Sequence, residues 1–247
     1  VQIAQIGQYA ENVYFGKPCG LMDQTACSVG GFVTIDFENP EHPKVEQVPV
    51  DFATAGYKLC IVDTGGNHSD LTGDYASIPV EMKSVAGFFG KEVLRQVPQE
   101  DFLSKVAQLR EQCGDRAVLR AFHFYADNDR VPKQVAALGD RDFQRFKELV
   151  IESGNSSFEY LQNVYTCQNP QEQGLSLGLA ISERILKGKG GWRVHGGGFA
   201  GTIQAFVPED LLEEYRRSVE AAFGKGKCHV LSIRPIGGVC VTPELHQ

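Results

Sequence analysis

Apolar and polar residues alternate over 32–37 and again over 45–50, and a third run, 57–64, is more continuously apolar. A period of two predicts strands, and unbroken apolar character predicts a strand buried on both faces at a sheet centre. The three are read as one antiparallel sheet with a short helix, 21–29, laid against it. From 71 the period changes to that of a helix, with Met82, Val85, Ala86, Phe89, Val93 and Leu94 on one face up to 97. Ser69 or Asp70 can cap its start, and Pro79 predicts a break or bend near Ile78. Further helices are expected over 99–113, 118–137, 142–153, 156–165 and 171–187, the third and fourth separated by Gly154-Asn155. The last quarter reads strand 192–195, glycine loop, strand 201–207, helix 208–223 and strand 229–234. That order, following a helix, is the tail of a ferredoxin-like unit. The first twelve residues, with Ile3, Ile6 and Ala10 at helical spacing, look like a helix already under way, so a preceding segment is expected.

Two stretches break the periodic pattern. In Cys19-Gly20-Leu21-Met22-Asp23-Gln24 the only charged residue sits between apolar neighbours just after a loop marked by Gly16 and Pro18. Asp23 falls in the first turn of the helix, where the macrodipole favours an ionised carboxylate ready to accept a proton. An ordinary helix-start aspartate that satisfies free backbone N–H groups fits the same spacing. The second stretch, Gly196-Gly197-Gly198-Phe199-Ala200-Gly201, holds more glycine than a two-residue hairpin turn requires. Successive N–H groups of such a loop can form a concave anion site, with phosphate as the usual guest. A long flexible hairpin, or a packing requirement where another element crosses the strands, would also need the glycines. His195 and His123 are read as satisfied core or surface histidines, and Trp192 as a core anchor.

Composition narrows the function classes. The chain of 247 residues with 42% hydrophobic side chains can bury a substantial core, and its formal net charge of −7, without a basic stripe, argues against nucleic acid. Seven cysteines without a C-x-x-C pair read as free buried thiols of a reducing compartment. No run has the apolar length of a membrane span. A cytoplasmic protein is expected.

Taken together, the two glycine-flanked stretches resemble the galactokinase branch of the GHMP kinases, which carries a C-G-x-M-D-Q segment and a late G-G-G-F-G-G loop. Arg120-Ala121-Phe122-His123, followed by Asp127-Asn128-Asp129-Arg130, is similar to the family's R-A-x-H…E-N-x-R. Tyr75, with Glu81 after it, resembles the family's sugar-side tyrosine segment. The resemblance implies an α+β fold: the remainder of a GHMP-kinase N-terminal sheet-and-helix domain over 1–64, then a helix-rich C-terminal domain over 65–247 ending in the ferredoxin-like unit. It implies transfer of the γ-phosphoryl group of ATP to the anomeric hydroxyl of galactose. Asp23 is then the catalytic carboxylate, Gly20, Asp23 and Tyr75 touch the sugar, and Gly196, Gly197 and Gly198 lie near the nucleotide's reacting end. The family's sugar signature, its main ATP phosphate loop and its Mg²⁺ ligand lie upstream of anything matched here. A missing N-terminal segment and inactivity of this stretch alone are therefore expected. Ala200, His195, Ile78 and Pro79 stand where the family usually has glycine, threonine and an arginine pair, which leaves the choice of sugar open. A non-catalytic sugar or nucleotide sensor is the alternative.

Overall fold

The computed structural model describes residues 1–16, 19–39, 41–50, 52–66 and 71–239. Ser69 and Asp70, expected as helix caps, lie outside these. Helix α1 (Gln2–Tyr9) buries only Ala4 and turns Ile3, Ile6 and Tyr9 to solvent. Helix α2 (Met22–Val29) leads into the antiparallel pair β1 (Phe32–Asp36) and β2 (Lys44–Val48), in register from Phe32 opposite Val48 to Asp36 opposite Lys44. The expected three-stranded sheet does not form. Strand β3 (Tyr57–Asp63) leaves this pair and joins the chain's last strands. Alternation specifies which face of a strand is buried but not which strand it pairs with, and a strand apolar on both faces gains most at the centre of a larger sheet.

Between β3 and its partners run α3 (Thr72–Phe88), α4 (Gln99–Ser104), α5 (Val106–Cys113), α6 (Asp115–Gly139), α7 (Phe143–Ser156) and α8 (Gly174–Leu186). Strands β4 (Gly191–His195) and β5 (Thr202–Pro208), helix α9 (Leu212–Phe223) and strand β6 (Cys228–Leu231) follow. The sheet order is β4-β5-β3-β6, with every neighbouring pair antiparallel. Strand β3, α8, β4, β5, α9 and β6 thus make a complete ferredoxin-like unit, of which the sequence pattern marked only the last four elements.

The pleat divides the core. Cys60, Val62, Val194, Ile203, Ala205 and Val207 face Leu175 and Leu186 of α8 and Tyr215 and Val219 of α9, with Trp192 buried beside them. The opposite face sets Phe206 and Leu59 against Phe146, Leu149 and Val150 of α7, where Val48 of β2 and Leu138 of α6 also pack. A separate cluster of Val85, Phe102, Leu109, Ala121 and Tyr125 binds α3, α4, α5 and α6 together.

Three local expectations change in the folded chain. Helix α3 runs through Pro79 with no break at Ile78, and α6 runs through Pro132. Each proline forfeits one backbone bond, a cost of about 3 kcal/mol that burial along the same helix offsets. Gly154 does not interrupt the helix: α7 continues through it because a Cβ there would stand 2.9 Å from Cβ of Arg193, so the glycine lets α7 lie close on β4. Of the six cysteines among the described residues, only Cys60 and Cys228 are buried; Cys27 and Cys167 are exposed. The Cys60 thiol, hydrogen-bonded to Cys228 and buried, is held well above its ordinary pKa and stays protonated.

Across the sheet, the Asp63 carboxylate accepts hydrogen bonds from Lys227 Nζ and from the N–H of Gly65, and these hold its pKa below the ordinary aspartate value. A group with a depressed folded pKa stabilises above its unfolded pKa, and the contribution fades as pH falls through the folded value. Both side chains are over a third exposed, at 42% for Lys227 and 34% for Asp63, which keeps the effect small. Asp63→Asn is expected to lower stability by roughly 0.5–1 kcal/mol at pH 7. Urea titrations at pH 7 and below pH 3 check it, because the difference from the parent should vanish in acid.

Candidate functional site

The loop between β4 and β5 begins after His195, which pairs with Thr202 across the ladder. Gly196 and Gly198 have φ of 71° and 85°, and Phe199, which is not a glycine, has φ of 57°. A Cβ on Gly197 would stand 2.6 Å from Cε1 of Tyr75, and one on Gly198 would stand 1.9 Å from the carbonyl oxygen of Asn163. Two of the glycines are therefore required by close packing, against a tyrosine ring and a backbone carbonyl. The N–H groups of Gly196, Gly197 and Gly198 have no acceptor among the described residues. Three consecutive unspent donors, with residues of opposite backbone hand alternating, fit the anion-binding concavity as well.

The loop is held from two sides. The Tyr75 hydroxyl donates to the Gly198 carbonyl at 2.8 Å, and its ring meets Phe199 edge-on, with centroids 5.4 Å apart. Burial pushes the Tyr75 phenol above its usual pKa, so it remains a donor. Opposite, Asn163 Nδ2 donates to the Gly197 carbonyl at 3.1 Å, and the Asn163 carbonyl accepts from the N–H of Phe199. Asn163 carries no signal in the sequence. It follows Gln162, whose left-handed backbone ends the turn after α7, and its role exists only because that turn meets the glycine loop.

Tyr75 is in turn placed by α3, and α3 by a buried polar frame. Arg120 of α6, 1% exposed, donates from Nε to the Leu161 carbonyl at 3.1 Å. Its Nη1 reaches Ser77 Oγ at 2.8 Å and Glu81 Oε2 at 2.9 Å. One turn on, His123 pairs through Nδ1 with Ser156 Oγ at 2.9 Å and stands 3.3 Å from Asp127; burial lowers its pKa. Asp127 accepts from Arg130 and Ser153, and Ser153 also accepts from Arg193 of β4. The Arg120–Arg130 segment is thus a set of cross-braces tying α3, α6, α7 and β4. A buried network of this kind is costly unless every member is paired, which explains why so many polar residues occur on one helix face. His195, by contrast, is exposed, with Nδ1 3.0 Å from Gln204.

Asp23 lies in the first turn of α2, exposed and without a hydrogen bond or ion pair among the described residues. It caps nothing, so the reading of a plain helix-start aspartate has no bond to support it. Gly20 is exposed too, and a Cβ there would meet no atom within 4 Å. It opens on a groove of about 720 Å³ between α1 and the start of α2, lined also by Leu21 and Phe37. The segment is braced by Gln24 Nε2 to Glu11 at 2.9 Å and by Gln8 Nε2 to the Cys19 carbonyl at 3.1 Å. The structure brings Tyr75 together with the glycine loop, whereas Gly20 and Asp23 are joined only by the short stretch of chain between them, and Asp23 does not line the groove beside Gly20. Neither Tyr75 nor the glycine loop lines the groove beside Gly20.

No protein-family model matches the chain. Among curated proteins it is similar to the galactokinase of Actinobacillus pleuropneumoniae, 31% identical over 224 residues, which cover 91% of this chain and 56% of that protein. The galactokinase of Glaesserella parasuis is 32% identical over 227 residues, 91% of this chain and 56% of that protein. That of Streptomyces coelicolor is 31% identical over 225 residues, 90% and 54%. The chain therefore spans about half the length of the curated relatives it matches. Among solved structures, Lactococcus lactis galactokinase complexed with galactose superposes with a TM-score of 0.71 at 20% identity, covering 95% of this chain and 59% of that one. Mevalonate kinase of L. major in complex with R-mevalonate follows at 0.57 and 15%, covering 95% and 58%. At these identities the structures speak to the fold alone, which is α+β and shared with these two kinases.

Proposed function

We propose that this chain, homologous to galactokinases over nine-tenths of its length, forms the portion of a galactokinase-like sugar kinase that carries the catalytic carboxylate and the second phosphate-side loop. The observation that carries the reading is the retained Cys19–Gln24 segment with an unspent carboxylate at Asp23, in a chain about 31% identical to proteins named galactokinase. Phosphoryl transfer needs positioning and charge neutralisation more than covalent help from the protein. Asp23 accepts the proton of the anomeric hydroxyl of galactose, or holds that hydroxyl for attack. Gly20 lets the sugar approach the backbone closely. Tyr75 sets the loop in place beside the sugar, and the N–H groups of Gly196, Gly197 and Gly198 face the phosphate oxygens. ATP supplies the phosphoryl group. The Mg²⁺ that accompanies ATP belongs, in this reading, to polypeptide corresponding to the half of the relatives that the match does not span.

This reading assigns the rest of the site to polypeptide corresponding to the half of the relatives that the match does not span. The exposed apolar side chains of α1 and the residues after it, Ile3, Ile6, Tyr9, Val13, Tyr14 and Phe15, support it, because so many large apolar side chains turned to solvent along one short stretch mark a contact. So does the β1–β2 pair, since two strands alone make a marginal sheet. The test is a chimera of the Actinobacillus pleuropneumoniae galactokinase in which residues 1–247 replace the matched stretch. Formation of ADP and galactose 1-phosphate, absent with residues 1–247 alone, is expected. A folded chimera that binds ATP and never turns over would return the chain to the sensor reading.

A further inference from the structure

Between the start of α3, the first half of α6 and the turn after α7 lies a cavity of about 430 Å³, lined by Asp74, Arg116, Arg120, Phe158, Glu159, Gln162, Tyr165 and Phe199 among others. That volume suits one small molecule. Phe199 lines both this cavity and a neighbouring one that opens beside Gly65 and Ala200.

The polar groups of the cavity are only partly spent. Arg120 is buried, yet its Nη2 has no acceptor among the described residues. Arg116 gives Nε and Nη2 to Glu81 and leaves Nη1 unspent. On the acceptor side, Asp74 takes a single side-chain bond, from Gln168 at 3.3 Å, and the Glu159 carboxylate takes none among the described residues. Two arginines are matched by Asp74 and Glu159, and Glu81 behind them adds a further negative charge. A phosphate or polycarboxylate would therefore meet no net positive field, which argues against an anionic guest. Phe158 and Tyr165, with centroids 6.4 Å apart and planes at 59°, and the ring of Phe199 supply apolar faces. The matching guest carries no net charge, both donates and accepts at several points, and has a C–H face to lay on a ring.

We propose that this cavity binds a small uncharged polyhydroxy molecule, of the class of a free hexose, at a site separate from Asp23 and Gly20. Its guest packs against Phe199, whose ring is set edge-on to Tyr75 and whose backbone is fixed by Asn163, so occupancy stiffens the glycine loop. Neither the binding nor the coupling depends on the phosphoryl-transfer reading.

Calorimetric titration of the 247-residue chain with D-galactose, D-glucose and N-acetyl-D-galactosamine tests it. Saturable binding of at least one sugar in the millimolar range is expected. Phe158→Ala and Glu159→Gln, both at exposed positions and so tolerated by the fold, should each weaken it about tenfold, while the binding that Phe158→Ala weakens should keep its affinity in Asp23→Ala. In ¹⁵N spectra the sugar should shift the amides of Gly197 and Gly198. Absence of saturable binding by all three sugars overturns the proposal. So does binding that Asp23→Ala removes and Phe158→Ala leaves intact, or inorganic phosphate taking the Phe158 site in preference to sugar.

Discussion

Asp23→Asn in the chimera should lower kcat about 10³-fold, within the range by which a positioned acid or base accelerates a reaction. That fall corresponds to roughly 4 kcal/mol of lost transition-state stabilisation. The apparent KM for ATP should stay within a few-fold, because the phosphate contacts in this reading are made by the glycine loop and by polypeptide outside this chain, and not by the carboxylate. Asparagine keeps the shape of the side chain and removes its charge and basicity. Since Asp23 is exposed and bonds to nothing among the described residues, the same substitution should leave the melting temperature of the chain unchanged within about 0.5 kcal/mol of stability. An active chimera that keeps its turnover after this change would remove Asp23 from the chemistry. A large drop in stability would show that the carboxylate serves the fold instead.

The second large effect is on stability. Gly198→Ala places a methyl group 1.9 Å from the Asn163 carbonyl oxygen at a residue whose φ is 85°. The left-handed backbone costs an L-residue about 1–2 kcal/mol, and forcing an atom into a packed site costs about 1–3 kcal/mol more. A total near 3 kcal/mol is expected, which for a domain of this size lowers the melting temperature by roughly 6–12 °C. Gly196→Ala is the internal control: its φ of 71° carries the same backbone penalty, yet its added Cβ would meet nothing within 4 Å. It should cost only about 1 kcal/mol. The difference between the two, read by thermal denaturation, measures how firmly Asn163 grips the loop. Equal effects at both positions would mean that the Asn163 contact yields freely.

The period of the sequence located the elements well, including the strand, strand, helix and strand of the last quarter. It misplaced β3, because the pairing of Asp63 with Thr202 closes a loop of well over a hundred residues and nothing in Tyr57–Asp63 itself marks its partner. It likewise took Gly154 and Pro79 as interruptions. Local propensity disfavours both residues in a helix, but the close approach of Arg193 in one case and the burial of Val85 and Ala86 in the other outweigh it.

The candidate site divides along the same line. Residue chemistry marked the carboxylate of Asp23 and the surplus glycines after His195 as candidates, while a helix-start aspartate and a packed hairpin fitted the same two patterns. Asn163, the hold of Tyr75 on Gly198, and the braces from Arg120 to Glu81 and from Asp127 to Ser153 were not marked in this way. The chain's own pattern determined its α+β character, its run of helices and the two stretches where chemistry is concentrated, because burial and backbone preference act over a few residues at a time. Tertiary structure alone decided which strand completes the C-terminal sheet, what the glycines press against and where charged groups go unpaired. Those depend on contacts between residues far apart in the chain, whose geometry exists only after the core has closed.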